Sequence, residues 1–131
     1  NQDKIIVYNA SFEKSVLKKM GVLYPDLQDK INNIIGRIED LMAFIKKNFY
    51  HPQFNGSFSL KKVLPALLPH EEKYSEGEVS GGNEAQEEFY NLICDKYDQN
   101  KKATVADDLI AYCKKDTHSL ILIYQHLLKN Y

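Results

Sequence analysis

Lys4-Ile5-Ile6-Val7-Tyr8-Asn9-Ala10-Ser11-Phe12-Glu13 is the stretch that decides how this chain is read. Its first half is β-branched and aromatic and short, which suits a buried strand. Its second half starts a helix: Asn9 or Ser11 can cap it, Phe12, Val16 and Met20 recur at four-residue spacing, and Gly21 suits its C-terminus. Glu13 breaks the pattern. Leu17 and Met20 follow it at four and seven residues, so the acid stands on an apolar face, where an uncompensated carboxylate costs free energy. Asp116 repeats the anomaly near the other end, in Tyr112-Cys113-Lys114-Lys115-Asp116, in line with Leu109, Leu120 and Leu127. Two such acids, each with a nearby tyrosine, point to a metal site of hard oxygen donors.

Outward from that stretch the chain reads as helices. Pro25 opens a second helix, where proline is best tolerated. The apolar period from Leu27 through Ile31, Ile35, Ile38 and Met42 to Ile45 continues it, with Gly36 able to break it and Ile38-Glu39-Asp40-Leu41-Met42 also readable as extended. His51-Pro52 ends that element. Phe54-Asn55-Gly56-Ser57 reads as a turn, after which Ser57 or Ser59 can cap a short helix through Leu60, Val63, Leu64 and Leu67. Residues 70–83 are acidic and almost without apolar side chains, which predicts an exposed connection. A helix is predicted from Glu84 to Tyr97, and a last one from Thr104, where Thr104-Val105-Ala106-Asp107 approximates a capping box, to near Tyr131. Residues 4–8 are then the one clear strand. A single strand leaves backbone groups unpaired, so it must pair with a strand from elsewhere, a second copy of the chain, or one of the ambiguous elements.

A length of 131 residues allows one domain or a large piece of one. The start Asn1-Gln2-Asp3-Lys4 has neither an initiator Met nor a signal-peptide profile, so the chain is expected to belong to a longer protein. Hydrophobic residues at 44% and charged residues at 27% allow a core and argue against disorder. No apolar run approaches the ~20 residues of a membrane span. Cys94 and Cys113 make neither a zinc spacing nor a disulfide framework, and a reducing cytoplasmic setting is expected. The net charge of −1 argues against a strong non-specific polyanion binder. Yet residues 1–62 carry ten Lys/Arg against six Asp/Glu, so the first half is the better candidate for touching phosphate.

A strand leading into Asn-x-x-Phe-acid (Asn9, Phe12, Glu13), followed far down the chain by Tyr-x-x-x-Asp (Tyr112, Asp116) on a C-terminal helix, resembles the second and third motifs of the DEDDy 3′–5′ exonucleases. These are DnaQ-like enzymes of the RNase H-like superfamily. The chain is more closely similar to a bacterial family of uncharacterised nucleases of that superfamily, in which Tyr-His-Pro-x-x-x-Gly-Ser-x-Ser-Leu-Lys-x-Val-Leu-Pro-Ala-Leu recurs. Here that segment is Tyr50 to Leu67, and with Gly81-Gly82 and Ala85-Gln86-Glu87 the resemblance spans nearly the whole chain. It implies an α/β fold, mostly helical in this chain. Residues 1–131 would be the C-terminal portion of a single RNase H-like nuclease domain.

The resemblance also implies phosphodiester hydrolysis with two divalent cations, Mg2+ or Mn2+. Asp116 would bind the ion that activates water, Glu13 would help hold the second, and the Tyr112 hydroxyl would orient the attacking water. Asn9 would support backbone geometry or substrate placement, and Phe12, Lys61 and Lys62 would contact single-stranded nucleic acid. Two departures count against activity of this chain alone. Glu13 stands where the family has Asp, and no Asp-x-Glu first motif occurs. The competing reading is a catalytically silent helical interaction module. In a third, a homodimer forms through the strand edge at 4–8. Phe49, Tyr50, Phe54 and Phe58 among Lys46, Lys47, Lys61 and Lys62 could stack bases, but core aromatics beside solvated lysines is the simpler account. His51 reads as a turn residue, and His118 would point away from Asp116.

Overall fold

The computed structural model describes residues 3–71 and 81–130, which fall into two compact units, Asn1–Ala66 and Leu67–Tyr131. The first contains strand β1 (Ile5–Val7), helix α1 (Ala10–Leu23), helix α2 (Gln28–Arg37), strand β2 (Ile38–Asp40), helix α3 (Leu41–Asn48) and most of helix α4 (Leu60–Leu67). One-turn 3-10 segments at Pro25–Leu27 and Pro52–Phe54 link them. The strand read at 4–8 is present, but it is not alone. The ambiguous Ile38–Asp40 segment pairs with it in parallel, Ile5 opposite Ile38 and Val7 opposite Asp40. α1 and α2 form the crossover that a parallel pair requires.

The helix expected to run from Leu27 to Ile45 is therefore divided in two. α2 stops at Arg37, and Ile38 enters extended backbone at φ −70°, ψ 123°. Asp40 then caps α3, accepting from the Ala43 amide at 3.1 Å. An Asp directly before an apolar run is a helix-start signal that competes with the apolar period on either side of it. Ile31, Ile38, Leu41, Ile45, Phe54, Val63 and Leu64 are buried in this unit. The turn at Asn55-Gly56 has both residues at positive φ, 49° and 74°. Ser59 takes the capping position of α4 through its backbone carbonyl, which accepts from Lys62 and Val63 at 2.9 Å.

The second unit is built on helix α5 (Gly82–Ile93) packed on helix α6 (Gln99–Asn130). Both begin earlier than the sequence suggests. Asp98 caps α6, accepting from the Lys101 amide at 2.8 Å, while the Thr104 hydroxyl donates back to the Asn100 carbonyl inside the helix. The capping-box reading at Thr104 is displaced because Asp98 offers a carboxylate six residues upstream. The link 94–98 is held by the Tyr97 hydroxyl, which donates to Glu88 at 2.9 Å and accepts from Asn91 at 3.2 Å, and by a Lys102–Asp95 ion pair. Most of the predicted acidic connection, residues 72–80, lies outside the described residues, as does Tyr131. No described helix is long and apolar enough to cross a membrane.

Asn9 sits at the junction of β1 and α1 in left-handed backbone, φ 73°, ψ 66°, with no capping bond from its side chain. The expectation that its side chain caps α1 is corrected: only Gly, Asn and Asp adopt this conformation cheaply, and that is what the position uses. Replacing Asn9 by Gly should leave stability within about 0.5 kcal/mol, and Asn9→Val should cost about 1–3 kcal/mol. Urea denaturation of the two variants beside the parent reads the difference.

Candidate functional site

The carboxyl ends of β1 and β2 bring together the side chains of Tyr8, Glu13 and Asp40 and the backbone of Asn9. Because Val7 is in register with Asp40, both chains leave the sheet at the same level, one into α1 and the other into α3. Asp40 lies between the two helix starts. Its Oδ1 accepts from the Asn9 amide at 3.3 Å and the Ala43 amide at 3.1 Å, and its Oδ2 accepts from the Ala10 amide at 3.0 Å. A negative charge at two helix N-termini is favoured by both helix dipoles. Tyr8, next to the end of β1, donates to the Phe58 carbonyl at 2.5 Å, tying the strand to the approach of α4. Burial, then the charge of Asp40, pushes its phenol well above the ordinary tyrosine range, so Tyr8 is a neutral donor at any working pH.

Glu13 lies one turn into α1. Its Oε2 is buried and has no hydrogen-bond partner. Partial burial holds the carboxyl above the usual range; its own backbone amide works against that shift and the nearby Asp40 charge adds to it. An orphaned carboxylate oxygen is a cost that a stable fold ordinarily avoids. In open α/β sheets, ligands bind beyond the carboxyl ends of the strands, which is where this oxygen stands. The sequence singled out Glu13 and Asn9, noted a tyrosine near Glu13 without giving Tyr8 a role, and missed Asp40. The Asp40 signal was there, as a capping acid before an apolar run.

In the second unit, Tyr112 and Asp116 stand one turn apart on α6, and the phenol is hydrogen-bonded to the carboxylate. Burial, then the Asp116 charge and that bond, pushes Tyr112 up to about 12. Val105, Ser119, Ile123 and Leu127 on the same face are buried, so the apolar stripe read around Asp116 is present. Tyr112 approaches the start of α5: a Cβ at Gly82 would lie 3.9 Å from its hydroxyl. His118 lies instead in an open, apolar groove of about 610 Å³ with Phe89, Ile110, Cys113 and Ile121. That groove includes neither Tyr112 nor Asp116.

The substrate-contact residues are divided by the fold. Phe12, Lys61 and Lys62 are exposed, as are Lys46, Lys47 and Tyr50. Phe54 is 1% exposed and belongs to the core, with Phe58 edge-on to it at 5.5 Å. Lys46 lies over the Phe58 ring at 5.8 Å. Core aromatics beside solvated lysines therefore describes most of this segment, and Tyr50 is its solvent-facing ring.

The two cations that the resemblance implies find suitable donors here in kind but not in number. Glu13 offers a hard oxygen with nothing bonded to it. Among the described residues, however, no group of three or more His, Cys, Asp and Glu side chains is placed to hold a metal ion. The described residues do not by themselves assemble a complete centre.

Residues 1–59 match the family model described as Domain of unknown function (DUF2779). Uncharacterized protein MG366 of Mycoplasma genitalium is 30% identical over 138 residues, covering 95% of this chain and 21% of the relative. Uncharacterized protein UU173 of Ureaplasma parvum is 30% identical over 145 residues, covering 95% of this chain and 20% of its own length. The chain thus spans about a fifth of the length of the curated relatives it matches. No solved structure matches it.

The raised Glu13 carboxyl has a consequence for stability. The unfolded chain gives up this proton at an ordinary carboxylate value and the folded chain holds it longer. Stability therefore falls as pH rises from about 4 through the raised value, and levels off above it. Glu13→Gln should be more stable than the parent at neutral pH and lose that advantage near pH 4. Urea midpoints across this range show it.

Proposed function

We propose that this chain is part of an RNase H-like nuclease domain in a longer protein, a metal-dependent 3′–5′ exonuclease acting on single-stranded nucleic acid. The observation that carries the reading is the unpartnered Glu13 oxygen beyond the carboxyl ends of two parallel strands. A carboxylate with one buried oxygen left without a hydrogen bond at the ligand-binding end of a sheet has a use for a cation and a cost without one. The Tyr112–Asp116 pair supports it from the second unit, in the order and spacing that the resemblance implies.

In this reading Glu13 and Asp116 each supply a carboxylate, and the remaining donors come from residues beyond those described. Divalent ions bound there would supply a nucleophile at neutral pH and charge stabilisation of the leaving oxygen. Tyr112 does its part as a neutral phenol: pushed up to about 12, it keeps its proton on the bond to Asp116 and can position a water molecule by accepting from it. Asn9 serves through its backbone conformation. Phe12, at 56% exposure, offers a ring for stacking, and Lys61 and Lys62 offer charge to the phosphates.

The test is Mn2+-dependent digestion of a labelled single-stranded oligonucleotide by the longer protein and its Glu13→Gln, Tyr112→Phe and Asp116→Ala forms. Asp116→Ala and Glu13→Gln should each lose at least a hundredfold in rate, and Tyr112→Phe about tenfold to a hundredfold. Equal rates in parent and Asp116→Ala would leave the silent interaction module as the better reading. Binding provides a second check. Lys61→Ala/Lys62→Ala should flatten the slope of log affinity against log salt by about 1.4, near 0.7 per lost phosphate contact on a single strand.

A further inference from the structure

We infer that Asp40 is a positioning residue for Glu13, its carboxylate fastening the first amides of α1 to those of α3 and so holding the turn of helix from which Glu13 projects. The inference deepens the reading above and rests on Glu13 being a cation ligand in it.

The geometry divides the work between two carboxylates. Every oxygen of Asp40 is committed to backbone: Oδ1 to Asn9 and Ala43, Oδ2 to Ala10. Glu13 keeps Oε2 uncommitted. Asp40 is thus poorly suited to ligate an ion and well suited to fix a frame. That frame needs fixing because α1 begins from a left-handed residue whose own side chain makes no capping bond. Within its first turn, the Phe12 amide already donates to the Asn9 carbonyl at 3.0 Å. The Asn9 and Ala10 amides precede any intrahelical acceptor, and Asp40 is the group that takes them.

The direction of a helical side chain is set by the backbone of its own turn. Glu13 is four residues from Asn9, so an error in the axis at the junction passes directly to its carboxyl. β2 is the fixed reference: Asp40 is its last residue, paired with Val7 across the sheet. Without the Asp40 carboxylate, Glu13 keeps its chemistry but must be ordered by the ion it binds, which weakens binding.

NMR on the isotope-labelled longer protein tests this with Asp40→Asn and, as a control, Asp26→Asn at an exposed acid in the Pro25–Leu27 turn. Asp40→Asn should speed amide exchange at Ala10 and Ala43 at least tenfold, while Ile6 in the sheet keeps its rate. It should also raise at least threefold the Mn2+ concentration that half-broadens the Glu13 amide. Asp26→Asn should change neither. A folded Asp40→Asn chain with the parent's Mn2+ curve, or with unchanged exchange at Ala10 and Ala43, overturns the positioning role while leaving the cation role of Glu13 standing. A parent protein, in its longer form, in which Mn2+ leaves Glu13 sharp overturns that cation role, and the inference with it. Should Asp40→Asn fail to fold, the parent decides through couplings across the hydrogen bonds from the Ala10 and Ala43 amides to the Asp40 carboxylate. Their presence supports the inference and their absence overturns it.

Discussion

Two helices begin side by side at the carboxyl ends of β1 and β2, and one carboxylate serves both starts. The first amides of a helix have no acceptor within it, and each must find one from a side chain, water or a ligand. In parallel strands held in register, consecutive solutions to that problem fall within reach of one another. Asp40 takes the Asn9 and Ala10 amides of one helix and the Ala43 amide of the other. The left-handed turn at Asn9, the exit of α3 and the placement of Glu13 all follow from this contact. So does the end of α2, because Ile38 must be extended for Asp40 to arrive opposite Val7.

Around that clamp the polar groups are arranged unequally. Tyr8 and Asp40 are fully engaged, the first with the Phe58 carbonyl and the second with three amides. Glu13, close enough to feel the Asp40 charge, keeps an oxygen buried and unbonded and holds its proton above the usual range. A fold selected for stability alone would place a Gln or an apolar residue there. The second unit shows a milder form of the same arrangement, an acid on the buried face of α6 compensated by the phenol one turn away. Both acids fall where an apolar side chain would pack more cheaply, and the Asp40 charge beside Glu13 adds to that cost.

The aromatic and basic residues between α3 and α4 show how one composition serves two purposes. Phe54 anchors the core edge-on to Phe58, Lys46 lies over the Phe58 ring, and Lys47, Lys61 and Lys62 are exposed. Lysine stems can cover apolar surface while their charges stay hydrated, so a cationic surface and a packed core coexist in one short segment. The surplus of Lys and Arg over Asp and Glu in residues 1–62 thus ends up on the unit that carries Glu13.

Local chemistry was legible along the chain. β-Branched residues marked β1, Pro25 marked a helix start, His51-Pro52 the end of an element and Asn55-Gly56 a turn, and the apolar periods placed Glu13 and Asp116 on faces where acids do not belong. The start of α6 was misplaced by one capping acid, Asp98, and β2 was hidden because Ile38 fits a helical period as well as a strand. Asp40 was read only as part of a segment that could be helical or extended, although an acid before an apolar run can cap a helix. Its bonds to Asn9 and Ala10 depend on a parallel pairing between segments distant in the chain, and no spacing rule carries that information. Periodicity, turn chemistry and caps act over a few residues, so the sequence by itself determined the first strand, the misplaced acids and most of the helical segments but not all of their bounds. Strand register and the cap shared by two helices are set by packing across the unit, so only the tertiary structure decided which acid is bound to the backbone and which is left open.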